Sequence, residues 1–358
     1  MTDTREVHAR RLRRLVEMNR SRAIAEAGAA LRTVWTTGKS PADVILRLGF
    51  IQSPGGSAPL VRLVLPQGVA QRFYLLALFE AQCRLSTGEP WVNDRPLTGV
   101  GSWSDFIAID GAYDTASEMY MPDTKQRRNG GDLRLRQVKS ALLTLEKLGD
   151  EHPERALVTV PKAKSGNRRK YAEFSLMQET GRGETQTPAI YTVPQRHWSV
   201  RTVSVPVDFF LKGWVQVLRP SEIATWLILR ALSQWAADQH AKSGVYLYGK
   251  AREEDFGLRR DAWEDGCQRL RDFGLIRHAR DEPLDSEPTG PFAGMVDLFA
   301  REGRERYEVY RWQVTDKGLA EDAVEVCLRE LTLRQKTLDG LAKLRAAQKK
   351  HTPPSELG

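Results

Sequence analysis

The sequence predicts a mainly α chain with small β-hairpins, an α+β fold in which two tandem helix-and-hairpin modules lie between N- and C-terminal helices. Three observations predict it. Apolar residues recur at helical spacing along most of the chain, broken by short runs of strand composition. Two helices end alike, Leu145-Glu-Lys-Leu-Gly149 and Leu270-Arg-Asp-Phe-Gly274, and each runs on into a strand and a hairpin, which reads as an internal repeat. The first of them lies in a concentrated positive stretch, residues 121–170, with thirteen Lys or Arg against six acids.

At 358 residues the chain is long enough for two domains, each with its own core, and 41% hydrophobic with 28% charged residues is a globular composition. A net charge of +8 and a pI near 9.4 suit a polyanionic partner. Cys83, Cys267 and Cys327 are odd in number, far apart and outside any C-x-x-C pairing. That usage implies a reducing compartment and no metal cage, and nothing implies a cofactor. The Arg-rich N-terminus lacks the apolar segment of a secretory signal, and no run reaches membrane-span length. The expectation is a soluble cytoplasmic protein with no membrane partner.

Residues 4–35 read as one long helix, with Leu12, Leu15, Val16 and Ile24 on one side and Arg10, Arg11, Arg13, Arg14, Arg20 and Arg22 over the rest. It is either a packing helix with a solvated face or a basic arm touching nucleic-acid backbone. Gly38-Lys39-Ser40 is no P-loop, because the first Gly of that motif would fall on Thr33. Ser40-Pro41 is expected to start a short helix ending near Gly49, and Gln52 to Pro59 is linker composition, so residues 1–59 form a basic helical arm and linker.

The first module spans residues 60–178, with a strand from Val61 to Leu65, a largely buried helix from Val69 to Leu85 and a shorter helix around Ser102 to Ile109. Asp132, after Gly130-Gly131, is the expected N-cap of a helix whose Leu135, Val138, Leu142, Leu145 and Leu148 form one buried stripe up to Gly149. The opposite face shows Arg136, Gln137, Ser140, Thr144 and Lys147, with Lys139 at the margin. Strands from Ala156 to Pro161 and Tyr171 to Met177 follow, joined through the turn residues Ser165-Gly166-Asn167. Helix and then basic hairpin is the layout of a winged helix.

Residues 179–197 are a linker by composition, and the second module, 198–315, repeats the plan. A strand at Val203 to Val207 and an apolar helix opened by Pro220 come first. Helices at Ala251 to Phe256 and Asp261 to Phe273, separated by Gly257-Leu-Arg-Arg260, have helix-turn-helix spacing. Strands at Leu275 to Ala279 and Tyr307 to Val314 flank a long Pro/Gly-containing loop. Residues 316–358 are a C-terminal helix and tail, whose leucines suit packing across the chain's own modules or a partner subunit, with a DNA-contacting arm as the alternative.

A winged helix sets one helix in the major groove while its wing reaches backbone or minor groove. Arg136 has the fork to pair with guanine and Gln137 the amide to pair with adenine, while Ser140 and Thr144 are short enough for close approach. Lys162, Lys164, Arg168, Arg169 and Lys170 on the wing are phosphate neutralisers. Lys125, Arg127, Arg128, Arg134, Lys139 and Lys147 complete the expected contact set of this module.

The second module differs, since residues 250–310 hold eleven Lys or Arg against fifteen acids, with Asp261, Glu264 and Asp265 on the recognition helix itself. Either it meets DNA through Arg259 and Arg260 at the helix start, with Arg269 and Arg271 further along, or it serves protein contact. No paired carboxylates, His-rich metal signature or H-x-H run is present, and His240, His278 and Asp238 are scattered, so no enzyme is expected.

In this layout, and in stretches such as Val203-Ser-Val-Pro-Val-Asp-Phe-Phe-Leu211 and Trp263 to Ile276, the chain resembles the Rep-type plasmid replication initiator family over residues 60–315. The resemblance implies sequence-specific binding of double-stranded DNA at repeated origin sequences, with one module sometimes given to dimerisation in a homodimer and host replication proteins as further partners, while the abundance of Arg over Lys and of Ala and Gly suits a GC-rich bacterial or mobile-element source. The acidic helix departs from a pattern in which both modules grip DNA. A winged-helix transcriptional repressor and a winged-helix protein-interaction scaffold are the alternatives.

Overall fold

A computed structural model describes residues 4–53, 58–64, 69–108, 112–114, 119–121, 130–164, 168–184, 186–195, 201–279 and 311–351, and these are mainly helical with four small antiparallel strand pairs. The pair that organises the rest joins distant parts of the chain. Strand β1 (Asp43–Arg47) lies against β6 (Thr202–Pro206), with Ile45 opposite Ser204. Each strand is held by a glutamine from its own following long helix. From α4 (Ala70–Arg84), Gln82 accepts the Ile45 N–H at 2.8 Å and donates to its carbonyl at 2.7 Å. From α8 (Pro220–Trp235), Gln234 does the same for Ser204, at 3.0 and 2.8 Å. The register partners Ile45 and Ser204 are thus clamped in the same way, each by a glutamine that bonds both its N–H and its carbonyl.

Each half then builds outward from its clamped strand. In the first, α4 is buried nearly throughout and packs against α5 (Gly130–Lys147), which runs into the hairpin of β4 (Val158–Thr159) and β5 (Ser175–Leu176). In the second, α8 packs against α11 (Arg260–Asp272), which runs into β7 (Ile276–His278), paired with β8 (Trp312–Val314). Gly266 permits the second contact, because a Cβ there would stand 2.4 Å from Thr225 Oγ1. One apolar cluster runs through both halves, with Phe79 stacked on Phe210 at 4.9 Å. Gln216, on the one-turn helix α7 (Trp214–Val217), donates to the Phe106 carbonyl at 2.7 Å, and Arg72 donates to the carbonyls of Val215 and Leu218 at 2.7 and 3.0 Å.

The first and last helices pack together. Helix α1 (Thr4–Arg20) runs antiparallel to the final helix α13 (Ala323–His351), with Arg5 on Asp339 at 3.0 Å and His8 Nδ1 against Gln335 Oε1 at 3.0 Å. Arg11 of α1 grips the buried Glu222 of α8 with two bonds of 2.5 and 2.8 Å. Helix α1 thus packs on its own chain, and of the residues expected to pack on the final helix Val324, Cys327 and Leu331 are buried whereas Leu341 and Leu344 are exposed.

Several expected elements come out differently. The helix expected over residues 4–35 is two, because Arg22 adopts φ 62 and breaks α1 from α2 (Ala23–Thr37), so that Leu15 and Met18 on one side and Ile24, Ala27 and Leu31 on the other all reach the core. Residues 43–47 are strand where a helix was expected, since Val44, Ile45 and Leu46 form a β-favouring run that finds a remote partner. The strand expected at Val61 to Leu65 is instead the turn α3 (Pro59–Arg62), opened by a proline at its first position. Around Ser102 the helix shortens to a 3-10 turn, Trp103–Phe106, whose Asp105 accepts the Ser102 N–H at 3.0 Å. Helix α5 starts at Gly130, two residues before the expected cap Asp132.

The final helix divides into α12 (Asp316–Leu319) and α13, because Asp322 accepts the N–H groups of Val324 and Glu325 at 2.9 and 3.0 Å and caps a new start. The one-turn helix α6 (Asp208–Leu211) and α9 (Ala237–Ser243) carry no signal in the periodicity, being shorter than the pattern that would show them. Linker composition also did not prevent Tyr191 and Val193 from packing into the core. Tyr191 is fully buried, takes a bond of 2.9 Å from Gln82 and lies beside strand-like bridges at Ile190, Thr192 and Val193.

Candidate nucleic-acid interface

Helix α5 buries Val138, Ala141, Leu142 and Leu145 against the core, which turns Arg136, Ser140 and Lys147 outward. Gln137 and Thr144 are half-buried beside them. The hairpin is fixed to the C-terminal end of this helix by backbone, with Leu157 N–H donating to the Leu145 carbonyl at 3.2 Å. Its arms are held by Lys170 N–H to the Pro161 carbonyl and Ala163 N–H to the Arg168 carbonyl, both 2.8 Å, and by a bridge of Lys162 with Arg169. Lys162, Lys164, Arg168 and Lys170 stand exposed. A helix with a cationic face and a cationic hairpin are therefore joined by backbone hydrogen bonds.

The cations do not all stand alike. Arg134 turns to Glu26 of α2 at 3.1 Å, away from the outer face. The Lys139 ammonium lies over the Tyr171 ring at 5.6 Å, which joins helix to hairpin. Lys170 meets Glu173 at 2.9 Å, and Arg169 is ion-paired with Glu146. Lys125, Arg127, Arg128 and the turn residues Ser165, Gly166 and Asn167 lie outside the described residues. Reading the sequence as a charge surplus missed Glu146 and Tyr171; an acid beside Leu145 in an otherwise cationic helix end was the available signal.

In the second half, a turn of π-helix, Arg252–Phe256, leads through Gly257 at φ 73 into α11. The outer row of α11 is Arg260, Asp261, Glu264, Asp265, Gln268 and Arg271, all exposed and mixed in sign. Arg260 bonds Glu264 at 2.6 Å, a contact that raises its pKa. Arg259 is exposed at the position before the helix, with no ion-pair partner among the described residues. Arg269 turns inward to Asp272 at 2.9 Å, which removes it from the surface that sequence reading gave it. Trp263 is buried.

Burial pushes the Cys83 thiol up to about 12 and raises Cys267 and Cys327 further, so all three are held protonated. Among the described residues no cluster of His, Cys, Asp and Glu could hold a metal ion, and no helix is long and apolar enough to cross a membrane. No family model, curated protein or solved structure matches the chain. What the interface does is therefore argued from its own residues.

Proposed function

We propose that the chain binds double-stranded DNA through α5 and the β4–β5 hairpin, used as recognition helix and wing, and that it acts as a replication initiator of the plasmid type. The observation that carries the reading is a hairpin with exposed Lys162, Lys164 and Arg168 bonded to the end of a helix that exposes Arg136, Ser140 and Lys147. From Arg136 to Lys147 the helix rises about 16 Å, a length that suits one pass through the major groove. Arg136 carries base reading by its planar fork, and the hairpin lysines carry phosphate neutralisation. The mixed row of α11 favours a narrower contact in the second half, at the helix N-terminus and chiefly through Arg259, since Arg260 is paired with Glu264. A repressor would use the same surfaces; mapping the bound sites to origin repeats or to a promoter separates the two roles.

Selection from a random duplex library supplies the specific site, and two variants then test the division of labour. Arg136→Ala is expected to cost about 1–3 kcal/mol on that site and to relax preference at one base pair. Lys164→Ala is expected to weaken specific and mixed-sequence duplexes alike. Equal losses on both duplexes from Arg136→Ala would overturn its assignment as the reading residue.

A further inference from the structure

Glu146 sits in the last turn of α5, where the helix dipole disfavours a carboxylate. What it gains there is contact with the hairpin. Its Oε1 accepts the Val160 N–H at 3.1 Å, just past β4, and its Oε2 takes the guanidinium of Arg169 from the returning arm. Along that arm side chains alternate: Arg168 and Lys170 are exposed, whereas Arg169 between them turns to the helix and is 27% exposed.

We infer that Glu146 is a positioning residue that holds the hairpin on the helix and keeps Arg169 from the DNA backbone, so limiting sequence-independent affinity. The inference rests on the proposed DNA binding. Phosphate and carboxylate are alternative partners for the same planar guanidinium, and an arginine already paired releases no counterion from DNA. The wing then presents Lys162, Lys164 and Arg168 as its phosphate contacts, while Arg169 sets their position across the bridge to Lys162. A protein that must find a specific site among random duplex gains by this, because every added phosphate contact tightens binding to all sequences.

Glu146→Gln tests it, since the amide oxygen still accepts the Val160 N–H while the charge that holds Arg169 is gone. On a short mixed-sequence duplex, Glu146→Gln is expected to steepen the slope of log affinity against log salt by about 0.9 and to bind roughly five- to tenfold tighter at 0.1 M salt. The double variant Glu146→Gln/Arg169→Ala is expected to return to the wild-type slope, a response that a purely structural role would not produce. Thermal melting confirms that both variants are folded. Equal slopes in wild type and Glu146→Gln, or weaker binding of Glu146→Gln to every duplex, would overturn this inference alone. A wild type without salt-dependent duplex affinity would remove it together with the proposed function.

Discussion

The Val314 N–H donates to His240 Nε2 at 2.8 Å, so that nitrogen must carry a lone pair, and this bond between strand β8 and α9, which adds to those of Gln313 with the His240 and Ala241 carbonyls, holds only while the imidazole is neutral. Burial lowers the His240 pKa from 6.5, Arg230 and Arg277 add to the effect and Asp316 opposes it. Below 6.5 the unfolded chain therefore takes up this proton before the folded one does. The stability contributed is complete above that value and is lost as pH falls through the lowered folded value. Melting temperature is expected to fall between neutral pH and pH 5. His240→Gln offers a non-titrating acceptor to Val314 and should make the fall shallower; an unchanged profile would contradict the assignment. His8 titrates in the same direction, lowered by burial and by Arg269, Arg334 and Arg11 against the opposing Gln335 bond, so the flattening is partial.

Among the elements, the packing of α8 on α11 depends on Gly266, whose absent side chain leaves room for Thr225. Gly266→Ala is expected to destabilise by about 1–3 kcal/mol in chemical denaturation, as overpacking does. Gly340 on α13 has nothing within 4 Å, so Gly340→Ala should be neutral or stabilise by about 0.5–1 kcal/mol. Equal effects of the two would mean that the α8–α11 contact is looser than its geometry. Helices α4, α5, α8 and α11 were legible in the sequence because each repeats its apolar residues over at least three turns. The β4–β5 pair after α5 was legible from its two β-type runs, although the second opens with a 3-10 turn at Tyr171–Glu173 where strand was expected. Strand β1 was not, since what makes Asp43–Arg47 a strand is a partner at Thr202–Pro206 that no local window contains. The same limit applies to the candidate site. The outward face of α5 follows from periodicity, whereas the turning of Arg134 to Glu26 and Arg169 to Glu146 depends on which elements come to lie beside it.

For the molecule as a whole, two halves related by the Gln82–Ile45 and Gln234–Ser204 clamps share one apolar core but carry different charge. The first concentrates cations on one helix and hairpin, and the second mixes signs along α11. Such a division suits a chain in which one half grips the polyanion and the other makes a smaller contact. The central claim is that duplex DNA is that polyanion, and titration of a mixed-sequence duplex from low to physiological salt tests it most directly. Neutralising about five to eight phosphates predicts a slope of log affinity against log salt of roughly −4.5 to −7. A slope near zero would contradict the claim.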